Sequence, residues 1–220
     1  MTILRHDDEA VRTLTLHRPD ALNALTPALL SELADTLAEA ASDASVRVVV
    51  LTGSERAFSA GVDLKALPGT SVDGGNVSGG LNGPARRCTE LLSTMPKVTI
   101  ARVHGFCFTG ALELALACDL MVVAEEAKLG DTHAKWGLRP TWGMSARLVR
   151  AVGTVRAREL SYTARTFTGR TRTTTGWHRT VYLSTRSTPR LPRWPRRSWP
   201  TARKPSPPTK ICIAMARTGA

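Results

Sequence analysis

Two periods alternate along the first 169 residues. "VRTLTL" (11–16) alternates with period two and is rich in β-formers, which predicts a strand. After "RPDALNAL", Thr26 and Pro27 have the chemistry of an N-cap and a first helical position. Leu29, Leu30, Leu33 and Leu37 then recur on one helical face. "VRVVVLTG" (46–53) is apolar almost throughout, as in a strand buried on both faces. A helix around 84–95, a strand in "KVTIARVHG" and an apolar helix ending "GALELALACDL" follow. A strand "LMVVAEE", an irregular "AKLGDTHAKWGLRPTWG" and helices through 143–150 and 154–162 complete the series. Repeated strand–helix units with buried strands predict an α/β protein with a mainly parallel sheet.

Two stretches break the pattern. "PGTSVDGGNVSGGLNGP" (68–84) has six glycines and lacks the lysine and helix of a phosphate loop, so it is expected to be a mobile surface loop. Its functional alternative is a lid over a pocket. From Arg170 onward there are ten Arg, two Lys and no Asp or Glu, so this segment carries the whole net charge of +12 and leaves residues 1–169 neutral. It also holds seven of the thirteen prolines and no apolar periodicity, and is expected to be at most locally ordered. The chain therefore divides into a domain at 1–169 and a basic tail at 170–220. An abrupt change to Arg, Thr, Pro and Trp is what a shifted reading frame in GC-rich DNA would give. A rival reading makes the tail a nucleic-acid-binding arm, which the neutral main body disfavours. No run approaches ~18 apolar residues, and the first residues lack the apolar stretch of a signal peptide, so a cytoplasmic, membrane-free protein is expected. Cys88, Cys107, Cys118 and Cys212 lack CxxC spacing and read as reduced thiols, and the five histidines offer no metal spacing.

The candidate chemistry begins with Glu113, a lone carboxylate among Ala111, Leu112, Leu114, Ala115, Leu116 and Ala117. Such a group costs several kcal/mol unless it is paired. Gly110 lies one helical turn before it, at a helix start where free N–H groups favour negative charge. "AFSAGVDLKAL" (57–67) is a second turn of small residues that would let a ligand reach the main chain. Two such turns facing each other would form an oxyanion hole.

These segments, with "RPDALNAL", "VVVLTG" and "KLGDTHAKWGLRP", resemble the crotonase superfamily of enoyl-CoA hydratases and isomerases from about Val11 to Gly169. The resemblance implies a spiral of ββα turns that binds acyl-CoA thioesters as a homo-oligomer, usually a trimer or hexamer. It implies no cofactor beyond the coenzyme A of the substrate, and no metal. By position, Val62 and Gly110 would be the oxyanion donors and Glu113 a proton-transfer group with a raised pKa. Ala60 and Val62, with Asp63 and Leu64 beside them, would meet the coenzyme, and Ala21 and Leu22 would lie along its nucleotide. Lys65 and Lys97 could attract its phosphates, although a solvated lysine is the simpler reading of each. Trp136 and Trp142 read as core or pocket wall.

One position departs from the family pattern. Hydratases carry a second glutamate about twenty residues after the first; here the aligned residue is His133. An imidazole, ordinarily titrating near pH ~6.5, could supply one proton transfer. Asp131 could substitute if the loop turns it inward, and a purely structural histidine bonded to loop carbonyls is the other reading. Without a second group, hydration should fall ~10²–10⁴-fold. Glu113 alone would still suit double-bond isomerisation, and a chain with no activity is the remaining alternative.

Overall fold

The computed structural model describes residues 1–66, 72–73, 75–77, 80–171 and 180–183. The chain opens with a hairpin that pairs β1 (Ile3–Asp8) antiparallel with β2 (Val11–Leu16). The inward positions of β2 are Arg12, Leu14 and Leu16, so a cation takes an inward place in the alternation. Its guanidinium is held by Asp7 and by Asp43, each at 2.8 Å. In α1 (Pro27–Ser42) the Thr26 side chain accepts the Leu29 N–H at 3.2 Å, and Leu29, Leu30, Leu33 and Leu37 are buried, as the spacing predicts.

β3 (Val48–Gly53), β6 (Val98–Val103), β8 (Leu120–Ala124) and β11 (Thr180–Leu183) continue in parallel from β2, giving one six-stranded sheet in the order β1-β2-β3-β6-β8-β11. The continuous apolar runs follow from burial of both sheet faces. Val48, Val50, Ile100 and Val122 cluster on one side, while Val49, Leu51, Ala101 and Val103 join the main core on the other. That core lies beneath α1, α2 (Asn82–Thr94) and α3 (Gly110–Ala117).

A second sheet contains β7 (Phe106–Phe108), β9 (Lys128–Gly130) and β10 (Phe167–Thr168), in the order β10-β9-β7. Single bridges from Ser59 to Cys107 and from Leu25 to Val62 lead from it toward the earlier turns. Each repeat thus runs through the large sheet, then the small sheet, then a helix: β6–β7–α3, then β8–β9 and α4 (Met144–Val152). This is the expected ββα spiral. Gly105 makes the corner from β6 to β7, with φ +57° and a Cβ position only 1.9 Å from the Arg56 carbonyl oxygen, so a side chain there is excluded. After α4 comes α5 (Thr154–Thr163).

The structure corrects several boundaries. β1 and the whole second sheet were outside the sequence expectation, because their strands are short or carry mostly exposed residues. The second helix begins at Asn82, two residues before the expected start. Within the glycine-rich stretch, a hairpin of β4 (Val72–Asp73) and β5 (Asn76–Val77) is described; the expectation of a mobile loop or lid falls mainly on residues outside the described set. Most of the basic tail also lies outside it, apart from residues 170–171 and β11. Cys88, Cys107 and Cys118 are buried and in no disulfide; burial pushes Cys88 up to about 12 and raises Cys107 as well, while Cys212 is outside the described residues. No helix among the described residues is long and apolar enough to cross a membrane, and none of their His, Cys, Asp and Glu side chains cluster as a metal site.

Candidate active site

α3 starts at Gly110 and brings Glu113 into the protein interior, where the residue is 1% exposed. Its carboxylate is bonded to backbone, and among the described residues no arginine forms an ion pair with it. Glu113 Oε2 accepts the main-chain N–H groups of Trp142 and Met144, each at 2.9 Å. Burial raises the Glu113 pKa; the two amide bonds and the nearby His133 oppose that shift without cancelling it. The turn into α3 is tight. A Cβ on Gly110 would stand 2.3 Å from the Trp142 indole, so glycine is required by the close approach of that ring. Thr109, just before it, has φ +47° and ψ −118°, a strained conformation for a β-branched residue.

His133 faces Glu113 from the short 3₁₀ turn His133–Trp136, with Nε2 3.5 Å from Glu113 Oε1. The oxygen of Glu113 left free by the two amides is therefore the one turned toward the imidazole. On the other side of the ring, Nδ1 lies 2.6 Å from Asp131 Oδ1, and Asp131 Oδ2 accepts the Ser161 hydroxyl at 2.6 Å. Burial would raise the Asp131 pKa, but the bonds from His133 and Ser161 outweigh it and the net shift is downward. Asp131 lies behind the imidazole and outside the cleft lining, so it is not turned inward as a substitute for the family's second carboxylate. Nor is the His133 ring bonded to loop carbonyls; its partners are carboxylates.

A cleft of about 320 Å³ opens above this pair, lined among others by Ala60, Val62, Leu64, Thr109, Glu113 and His133. Neither the Val62 nor the Gly110 amide donates to a protein acceptor among the described residues. The Ala60 amide donates to the Leu22 carbonyl at 3.0 Å, joining the turn of Ala21 and Leu22 to the cleft wall. Asp63 is paired with Arg18 at 3.0 Å and does not line the cleft, whereas Leu64 does. Lys97 is structural, donating to the Asp43 and Val46 carbonyls at 2.7 Å, and Lys65 is exposed. Trp142 is buried with its indole N–H on Asn82 at 2.9 Å; Trp136 also lines the cleft but is 61% exposed.

Two contributors escaped the sequence reading. Asn23 is fully buried at φ +56°; its amide donates to the Ser54 and Ala57 carbonyls, and its oxygen accepts from Arg18 N–H and Ser54. It pins the 21–25 turn against the 57–62 turn, and "LNAL" in the sequence held a signal for it, since Asn tolerates left-handed backbone. Ser161, thirty residues from Asp131, gave no local signal at all.

A spiral of ββα units with a buried glutamate one turn into an internal helix defines a crotonase-type protein. The chain belongs to the enoyl-CoA hydratase/isomerase family, whose pattern matches residues 6–182 and so runs past Gly169 into β11. It is 40% identical over 161 residues to "Probable enoyl-CoA hydratase 1, peroxisomal" of Arabidopsis thaliana, covering 73% of this chain and 58% of that protein. It is also 40% identical over 153 residues to a "Probable enoyl-CoA hydratase" of Bacillus subtilis, covering 70% and 58%. The fold superposes on the crystal structure of enoyl-CoA hydratase from Bacillus anthracis with a TM-score of 0.76 at 32% identity, over 84% of this chain and 70% of that one. The chain spans about three fifths of the length of the curated relatives it matches.

Proposed function

We propose that this protein adds water to an enoyl-CoA thioester, or removes it in the reverse direction. The observation that supports this reading most is the Glu113–His133 pair at 3.5 Å in the lining of a cleft shared with Val62, with neither the Val62 nor the Gly110 amide bonded to an acceptor among the described residues. In this mechanism the thioester oxygen receives the N–H groups of Val62 and Gly110. These donors stabilise the negative charge that moves onto that oxygen as the enolate forms. The attacking water sits on the cleft side of the Glu113 Oε1–His133 Nε2 pair, within reach of both. One of the two groups takes a proton from the water as its oxygen bonds to Cβ. The other delivers a proton to Cα as the enolate collapses, so H and OH have been added across the double bond. The raised pKa of Glu113 suits it to both transfers near neutral pH.

The coenzyme lies along the main chain of Ala60 and Val62, with Leu64 beside it and Ala21 and Leu22 bordering its nucleotide. Asp63 helps indirectly, by holding Arg18 against that turn. The reaction balances without a redox cofactor or metal. We assign a homo-oligomeric, cytoplasmic enzyme, with Val155 and Tyr162 on α5 exposed for subunit packing. Light scattering of the purified chain checks the assembly.

The decisive test is turnover of crotonyl-CoA with product analysis. The 3-hydroxyacyl thioester should form with wild type. Glu113→Gln and His133→Ala should each lower its rate ~10²–10⁴-fold. A product with a shifted double bond and no added oxygen would replace this reading by isomerisation. Full hydration by His133→Ala would leave the second proton transfer to another group.

A further inference from the structure

We infer that Asp131, anchored by Ser161, is a positioning residue that fixes the tautomer of His133, so that Nε2 is the nitrogen presented to Glu113 and the cleft. The inference rests on the hydratase reading for its catalytic meaning, but the tautomer itself is a property of the resting protein.

The two ring nitrogens have different partners. An ionised carboxylate can only accept, so Asp131 Oδ1 at 2.6 Å requires the proton on Nδ1. The Nδ1–H form leaves Nε2 with its lone pair directed at Glu113 Oε1. Glu113 is arranged the same way: Oε2 is committed to two amides, so a proton on this carboxyl sits on Oε1. The exchangeable sites of both groups therefore face each other. With Glu113 protonated on Oε1, the Nδ1–H form pairs a donor with an acceptor at each contact, whereas the Nε2–H form would set two acceptors together at Asp131 and two donors together at Glu113. Asp131 is itself held on both sides. It follows β9 directly, and its second oxygen takes the Ser161 hydroxyl from α5, so the carboxylate cannot rotate away. It is 2% exposed and absent from the cleft lining, which excludes contact with substrate. A carboxylate kept out of water costs several kcal/mol unless it is bonded, and here both oxygens are.

A merely structural role, tying the 131–136 turn to α5, would affect folding but not the ring's proton. Nitrogen-15 NMR of histidine-labelled protein at pH 8, with the His133 signals identified by their loss in His133→Ala, reads the tautomer without any substrate. The expected result is Nδ1–H in wild type and a mixed or reversed tautomer in Asp131→Asn, whose amide can donate to Nδ1. In a folded Asp131→Asn protein, kcat for crotonyl-CoA should fall at least ~10²-fold while KM changes less than about threefold. Ser161→Ala keeps the carboxylate but loosens it, and should cost roughly tenfold in kcat, about one hydrogen bond. An Nε2–H tautomer in wild type overturns the inference, even if Asp131→Asn fails to fold. So does a reversed tautomer in Asp131→Asn with kcat unchanged. Wild-type protein that turns over no enoyl thioester would remove the hydratase reading, while the tautomer still decides the positioning.

Discussion

Glu113 carries two opposing demands, since its burial suits proton transfer and weakens the fold. Its pKa is raised in the folded protein, so the native state favours the protonated form. The destabilisation is absent below the unfolded-state pKa, grows as pH rises toward the folded-state value, and is complete above it. Glu113→Gln keeps the shape and an oxygen for the Trp142 and Met144 amides. Its new NH₂ can donate to His133 Nε2. The variant should therefore be more stable than wild type at pH 7.5, by roughly 0.5–2 kcal/mol, with the difference closing as pH falls toward 4. Urea denaturation at the two pH values checks it; a less stable variant at pH 7.5 would contradict the assignment of cost. Glu113 and Gly110 were legible in the sequence because a single carboxylate and a single glycine stand out in an apolar helix. Asp131 was not assigned its place, because its role depends on which way a short turn carries the chain, and composition does not encode that. The steric need for Gly110 was equally hidden, since the ring that imposes it comes from Trp142.

At the scale of elements, the helices and the parallel strands followed from periodicity, while the second sheet did not. Three-residue strands such as β7 and β9 are too short to display a period, and they exist because the large sheet's strands deliver them side by side. The 21–25 turn is another element of this kind, held by one side chain. Asn23→Ala would remove two donated and two accepted hydrogen bonds from a fully buried site. We expect a loss of about 2–4 kcal/mol, since several main-chain groups lose their partners without access to water. The turn carrying Ala21 and Leu22 should loosen from Ala60, so KM for the thioester should rise more than kcat falls. A variant with unaltered KM would mean that this turn does not border the coenzyme.

For the whole molecule, the chain beyond Gly169 departs from the balanced charge of residues 1–169 and carries all of the net charge. The family match ends at residue 182, and β11 adds to the sheet beside β8. Our proposal remains a domain at 1–169 followed by a tail produced by a shifted frame. Translating the other two frames downstream of Gly169 tests it: one should yield an amphipathic helical continuation. Its absence from both frames would require that the tail have a function of its own. Val149, Val155 and Tyr162 stand exposed on α4 and α5, where such a continuation or a neighbouring copy would have apolar surface to cover.

The Trp142 ring, packed over Gly110 with its N–H on Asn82, also makes the site visible to light. Indole emission responds to the polarity and charge around the ring, and here the ring lies against the helix start proposed to receive the thioester oxygen. Saturating a non-hydratable acyl-CoA should therefore change the intrinsic fluorescence; the measurement is made with Trp136→Phe, since that ring also lines the cleft, and Trp177, Trp194 and Trp199 provide the background. Trp142→Phe should abolish most of that change while leaving the background emission. If the full response survives, the thioester is seated elsewhere.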